Sequence, residues 1–133
     1  MKLTRKEALE ITRDLWLWLE KTGSPSKRRW PGWDHVPEMI NNCPCCEYVH
    51  QKLGLNPGVY GVPCGADVPP PRTGRAKEAL AWCPLNKLWP DGCEQLGTAY
   101  DNWKDGCFPA ARKKNARIIA KAAIQALENE RKE

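Results

Sequence analysis

The chain has 133 residues, a formal net charge of +5, seven cysteines, twelve prolines and ten glycines. That length predicts one domain with a modest core. The mild positive charge excludes a carboxylate-presenting mimic of DNA, while permitting contact with nucleic acid or an acidic protein surface. No apolar stretch approaches the roughly 20 residues of a membrane span; the run Leu15-Trp16-Leu17-Trp18-Leu19 is bounded at once by Asp14 and Glu20. The N-terminal stretch Met1-Lys2-Leu3-Thr4-Arg5-Lys6-Glu7 is charged and amphipathic, without the apolar core and cleavage site of a signal peptide, so the expected setting is a reducing cytosol.

Thr4 followed by Glu7 makes a capping box that starts a helix, which Gly23 ends. Along it Ala8, Ile11, Leu15, Trp18 and Leu19 recur at helical spacing as one apolar stripe, with Trp16 at its margin. Residues 24–37 turn basic and aromatic, Lys27-Arg28-Arg29 running into Trp30-Pro31-Gly32-Trp33, and read as an ordered loop. Short helices are expected over residues 37–41 and 47–53. Residues 54–72 hold five prolines and four glycines and cannot form a helix; a loop this long needs an anchor, which Cys64 would supply. Three further helices are expected, over residues 74–82, 92–104 and 109–130. The second carries an Asp91/Glu94 capping box and presents Cys93, Leu96, Tyr100 and Trp103 on one face. The third opens at Pro109 and turns Ile118, Ile119, Ala122, Ala126 and Leu127 inward.

An odd cysteine count in a reducing compartment favours metal ligation over a disulfide framework. Cys43 and Cys46 have the two-residue spacing that turns consecutive thiolates onto one tetrahedral ion. The second half of the site must come from Cys64, Cys83, Cys93 or Cys107. Pro84 after Cys83 parallels Pro44 after Cys43, and Cys93 stands at an expected helix start, where the helix dipole favours a thiolate. The assigned set is therefore Cys43, Cys46, Cys83 and Cys93 on Zn2+, with Cys64 in reserve. Cys45 reads as a bystander, Cys107 as a small buried hydrophobe, and His50 as an exposed helical residue with ligation as its alternative use. An iron–sulfur cluster and unligated redox thiols are the competing uses of the cysteines.

Four thiolates close a zinc ion's coordination, so such a site organises structure. A catalytic, three-ligand zinc would need a base, and Glu47 is the only obvious one. The His-x-Glu and Pro-Cys-x-x-Cys signature of zinc deaminases is not met, and the neighbours Asp34 and His35 make a weak case for a nuclease.

Seven tryptophans stand against one phenylalanine. Trp16, Trp18, Trp82 and Trp103 fall on expected helices and read as core; Trp30, Trp33 and Trp89 fall in loops and either cover the first helix or form a recognition surface. Of the basic clusters, Arg112 and Lys113 to Arg117 and Lys121 follow spacings of about four and form a ridge opposite the apolar stripe. A solvated face is the plain reading of that ridge, and nucleic-acid contact the alternative. Lys27, Arg28, Arg29, Trp30, Trp33, Arg112, Lys113 and Arg117 are thus the expected partner or nucleic-acid surface.

Several of these stretches occur together in one order: Trp18-Leu19-Glu20-Lys21-Thr22-Gly23, Trp30-Pro31-Gly32-Trp33, Cys43-x-x-Cys46-Glu47-Tyr48, Cys83-Pro84-Leu85, Cys93, the pair Tyr100 and Trp103, and Ala111-Arg112-Lys113. In this the chain resembles a loose group of small cysteine-rich proteins of tailed bacteriophages. That group often has a cysteine pair before Pro-Leu, where this sequence has Leu80 in the earlier position, which puts Cys64 forward as substitute ligand. The resemblance implies an accessory protein of a phage or prophage acting in the host bacterial cytoplasm.

Together these readings predict a mainly α, single domain of four or five helices with long ordered loops, stabilised by a structural zinc site. The expected function is non-enzymatic binding of a host protein in takeover or counter-defence. Nucleic-acid binding through the basic C-terminal helix is second, an enzyme such as a metal-dependent nuclease third. The oligomeric state and the partner's identity stay open.

Overall fold

The computed structural model describes residues 3–37, 43–53, 82–88 and 97–132, with the main chain alone at Cys46, His50 and Leu53. Within them lie four α-helices: α1 (Arg5–Thr22), α2 (Pro44–Leu53), α3 (Ala99–Lys104) and α4 (Pro109–Arg131), with two 3-10 turns at Lys27–Arg29 and Pro31–His35. Among the described residues there is no strand.

α1 starts as its sequence dictates. The Glu7 amide donates to Thr4 Oγ1 at 3.0 Å and the Thr4 amide to Glu7 Oε1 at 3.1 Å, so two of the exposed amides of the first turn are satisfied reciprocally. It ends on Gly23, whose φ of 68° lies in the left-handed region and whose amide donates to the Leu19 carbonyl at 2.9 Å. α4 also bears on this position: a Cβ on Gly23 would stand 3.1 Å from the Pro109 Cβ and 3.2 Å from the Lys113 Cε.

α4 runs antiparallel to α1 along its length. Arg5 pairs with Glu130 at one end, Arg117 faces Glu20 at 3.8 Å, and Arg112 reaches Gly23 at the other. Ala116, Ile119, Ala120 and Ala123 are the buried stripe of α4, and its small residues allow a close approach to Leu9, Leu15 and Leu19 of α1. Ile118, expected to face inward, is 40% exposed. Ile119 is buried as expected, and Ala122, Ala126 and Leu127 are half-buried against the core beside the Ala116, Ala120 and Ala123 stripe.

The buried arc of α1 is wider than one stripe, because α2 and α3 cover what α4 leaves. Ala8, Leu9, Ile11, Thr12, Leu15, Trp16 and Leu19 are all buried. Trp16 is therefore core and not margin: it meets Trp103 edge to face at 4.9 Å and Tyr100 at 6.1 Å, a geometry that aromatic quadrupoles favour.

α2 begins at Pro44, three residues ahead of the expected start. Cys43 accepts the first helical hydrogen bond, from the Glu47 amide at 3.0 Å, and Pro44 at the first helical position gives up no needed donor. Within the described part of the expected 92–104 helix, α3 starts at Ala99. Gly97 has a φ of 86°, and Thr98 caps α3 by accepting from the Asp101 amide at 3.1 Å. The expected helix over residues 37–41, the loop over 54–72 and the start of the 92–104 helix lie outside the described residues, as does the helix over 74–82 save for Trp82.

Candidate functional site

α2 delivers its first turn to the flank of α1. Cys43 occupies the cap position, half-buried, and Cys45 two residues on is fully buried against Thr12 of α1. The Cys45 Sγ lies 3.4 Å from Thr12 Oγ1, and the Thr12 hydroxyl donates to the Ala8 carbonyl at 2.7 Å. From a separate segment comes Cys83, also buried, at the head of a turn closed by Asn86 donating to the Cys83 carbonyl at 3.0 Å and Leu88 to the Leu85 carbonyl at 3.0 Å. Leu85 and Pro84 of this turn are buried, and the Arg5 guanidinium reaches the Pro84 carbonyl at 3.4 Å.

The Cys45 thiol is hydrogen-bonded to those of Cys43 and Cys83, and these bonds, Cys43 first, together with burial hold it protonated well above the ordinary thiol range. Among the described residues no group of three His, Cys, Asp or Glu side chains is already disposed to hold an ion.

Of the four ligands expected from the sequence, Cys43 and Cys83 are thus both in contact with Cys45, the residue read as a bystander. Cys46 is placed by its main chain alone, in the first turn of α2; Cys93 and the reserve Cys64 lie outside the described residues, as does the His50 side chain. Cys107, expected to be buried, is exposed, with its thiol 3.8 Å from the Asp105 carbonyl. It sits in the short α3–α4 corner, where no described element covers it. Glu47 is buried in α2, while Asp34 and His35 are both exposed.

The expected surface residues divide into two groups. The Lys27 ammonium stands 4.6 Å over the Tyr100 ring and 3.1 Å from its hydroxyl. Trp33 donates from Nε1 to the Lys27 carbonyl at 2.8 Å and meets Trp30 edge to face at 5.1 Å; both indoles are half-buried against the core. Gly32 makes this fold-back feasible, because a Cβ there would run into the Trp30 ring. Arg112 also turns inward, donating to the Gly23 carbonyl at 2.8 Å and the Gly106 carbonyl at 3.1 Å. Arg28, Arg29, Lys113 and Arg117 remain exposed, together with Lys114 and Lys121. Trp82, expected in the core, is 39% exposed with the Lys52 ammonium 4.8 Å over its ring; Trp89 lies outside the described residues.

The residue that sequence reasoning missed is Thr12. Its signal was present: it stands four residues after Ala8 and three before Leu15, a hydroxyl in the register of the apolar stripe. A buried hydroxyl there needs a polar neighbour.

Comparison with known proteins found no family model, no curated protein and no solved structure that matches the chain. Among the described residues no helix is long and apolar enough to cross a membrane.

Proposed function

We propose that this chain is a non-enzymatic, zinc-stabilised accessory protein of a phage or prophage that acts by binding a host protein in the bacterial cytoplasm. The observation that carries the zinc is the meeting of Cys43 and Cys83, from two separate segments, on one buried thiol. Cys43 and Cys83 are its ligands, completed from Cys46, Cys93 and Cys64. A structural zinc contributes on the order of 10 kcal/mol to a small fold, enough to hold α2 and the Cys83 turn on α1. Large apolar side chains left at the surface, Phe108 at 72% exposure and Trp82, favour a protein partner.

Binding of nucleic acid is the second reading, supported by the exposed Arg28, Arg29, Lys113, Lys114, Arg117 and Lys121. Elemental analysis of protein purified without added metal tests the zinc, with about one ion per chain expected. Capture of a defined host protein, at a stoichiometry that survives moderate salt and nuclease treatment, tests the partner. Zinc-free protein with intact disulfides overturns the first part, and capture abolished by nuclease overturns the second.

A further inference from the structure

We propose that the flank of the α1–α4 pair bearing Leu17 and Ile124 is an interface with a second copy of this chain, packed antiparallel about a two-fold axis at Ile124. This goes beyond the zinc and the host partner and depends on neither.

The helix pair is covered unevenly. Cys45 of α2 and Trp103 of α3 lie against α1, and the turn at residues 84–88 lies beside Ala122 and Ala126 of α4. The other flank is an open groove of about 550 Å³ between the two helices, lined by Lys6, Glu10 and Arg13 of α1 and by Ile124, Leu127 and Glu128 of α4. Leu17, one turn on from Arg13, is 40% exposed, Ile124 is 36% exposed, and Leu127 is half-buried behind them.

Charge names the occupant. Along α4 the exposed stripe on this flank reads Arg117, Lys121, Ile124, Glu128, Arg131, in steps of three or four. Lys121 and Glu128 stand about one turn to either side of Ile124, with opposite signs. Read backwards, the stripe complements itself, which is what an isologous two-fold interface requires. A copy laid antiparallel across Ile124 therefore sets Lys121 against Glu128 of the partner subunit, and the second pair follows by symmetry. The cross-links Arg5–Glu130 and Glu20–Arg117 put Ile124 level with the turn holding Glu10 and Arg13. The same axis thus brings Glu10 to Arg13 of the partner subunit, a guanidinium that its own chain ties to Asp14 at 2.8 Å. Arg131 falls at the level of the partner subunit's Glu20–Arg117 pair.

The area suits a weak dimer. Over the 18 residues of α1, about 27 Å long, a face two helices wide covers about 500 Å² per copy and about 1,000 Å² in all, the lower bound for a specific interface. Micromolar, salt-sensitive association is expected.

Sedimentation equilibrium of the full chain, from low-micromolar to submillimolar concentration, tests this. The mass should rise from one chain toward two, and Ile124→Asp should hold it at one. Lys121→Glu and Glu128→Lys, both exposed changes, should each weaken dimerisation about tenfold by setting like charges opposite one another. The double variant should return close to wild type, because the exchange re-forms both pairs with their signs reversed. Circular dichroism checks the fold of each; should Ile124→Asp unfold, the charge variants decide. A chain that stays monomeric throughout overturns the inference, as does a dimer that Ile124→Asp leaves intact or whose charge swap is not restored in the double variant. Host-protein capture lost in Ile124→Asp by a chain that never dimerises would give the face to that partner and overturn the dimer.

Discussion

Arg112 donates from Nε to the Gly23 carbonyl at 2.8 Å and from a terminal nitrogen to the Gly106 carbonyl at 3.1 Å, so one guanidinium ties the end of α1 to the corner between α3 and α4. Sequence spacing had set this residue on an outward ridge. Arg112→Ala should destabilise the fold by about 1.5–3 kcal/mol, the range for hydrogen bonds to a charged group, and Arg112→Lys should recover little, because an ammonium cannot span both carbonyls in the same plane. Lys114→Ala, on the exposed face, should stay within about 0.5 kcal/mol. Urea midpoints at unchanged slope provide the comparison; equal midpoints for Arg112→Ala and Lys114→Ala contradict the tie.

Gly23 faces two demands at once, a left-handed φ of 68° and the close approach of α4. A Cβ in that backbone conformation costs about 1–2 kcal/mol, and contacts of 3.1 and 3.2 Å to Pro109 and Lys113 add to it. Gly23→Ala should therefore lower thermal stability by several degrees. An unchanged melting temperature would show that the α1–α4 end can relax freely.

Cys83 and Cys107 offer a matched pair of substitutions, one buried among thiols and one exposed. Cys83→Ser should release zinc and reduce helical circular dichroism. Cys107→Ser should leave both nearly unchanged. Equal loss in the two variants would refute the ligand assignment.

The basic face separates a protein partner from nucleic acid. Arg28, Lys113 and Arg117 are exposed and can be neutralised together without touching the Arg112 tie. If they are phosphate contacts, each loss should reduce the salt slope on duplex DNA by about 0.9 and weaken binding across unrelated sequences. The expected result is little change, with affinity for duplex DNA no tighter than about 10⁻⁴ to 10⁻⁶ M at physiological salt. A nanomolar complex lost in the triple variant would promote the nucleic-acid reading.

What was legible in the sequence was local. The Thr4/Glu7 box and Gly23 marked both ends of α1, and Pro109 marked the start of α4, because each rests on contacts within a few residues. Which face packed inward was less legible where a helix has more than one neighbour. Trp16 is buried because α1 is covered from several sides, and Ile118 is exposed because the arc of α4 that faces α1 is centred on Ala116, Ile119, Ala120 and Ala123. The thiol site was half legible for the same reason. Cys43 stood out by its two-residue spacing to Cys46 and Cys83 by the proline that follows it, but the place of Cys45 depends on Thr12, a residue of another helix.

The pairing of α1 with α4 bears on how the chain emerges from the ribosome. Arg5 waits for Glu130, and the buried leucines of α1 wait for Ile119 and the alanines around it, so α1 is covered by a helix made more than 80 residues later. Throughout synthesis Leu9, Leu15 and Leu19 stay exposed or transiently held by α2. Nascent chains stalled before Pro109 should therefore be strong clients of holdase chaperones.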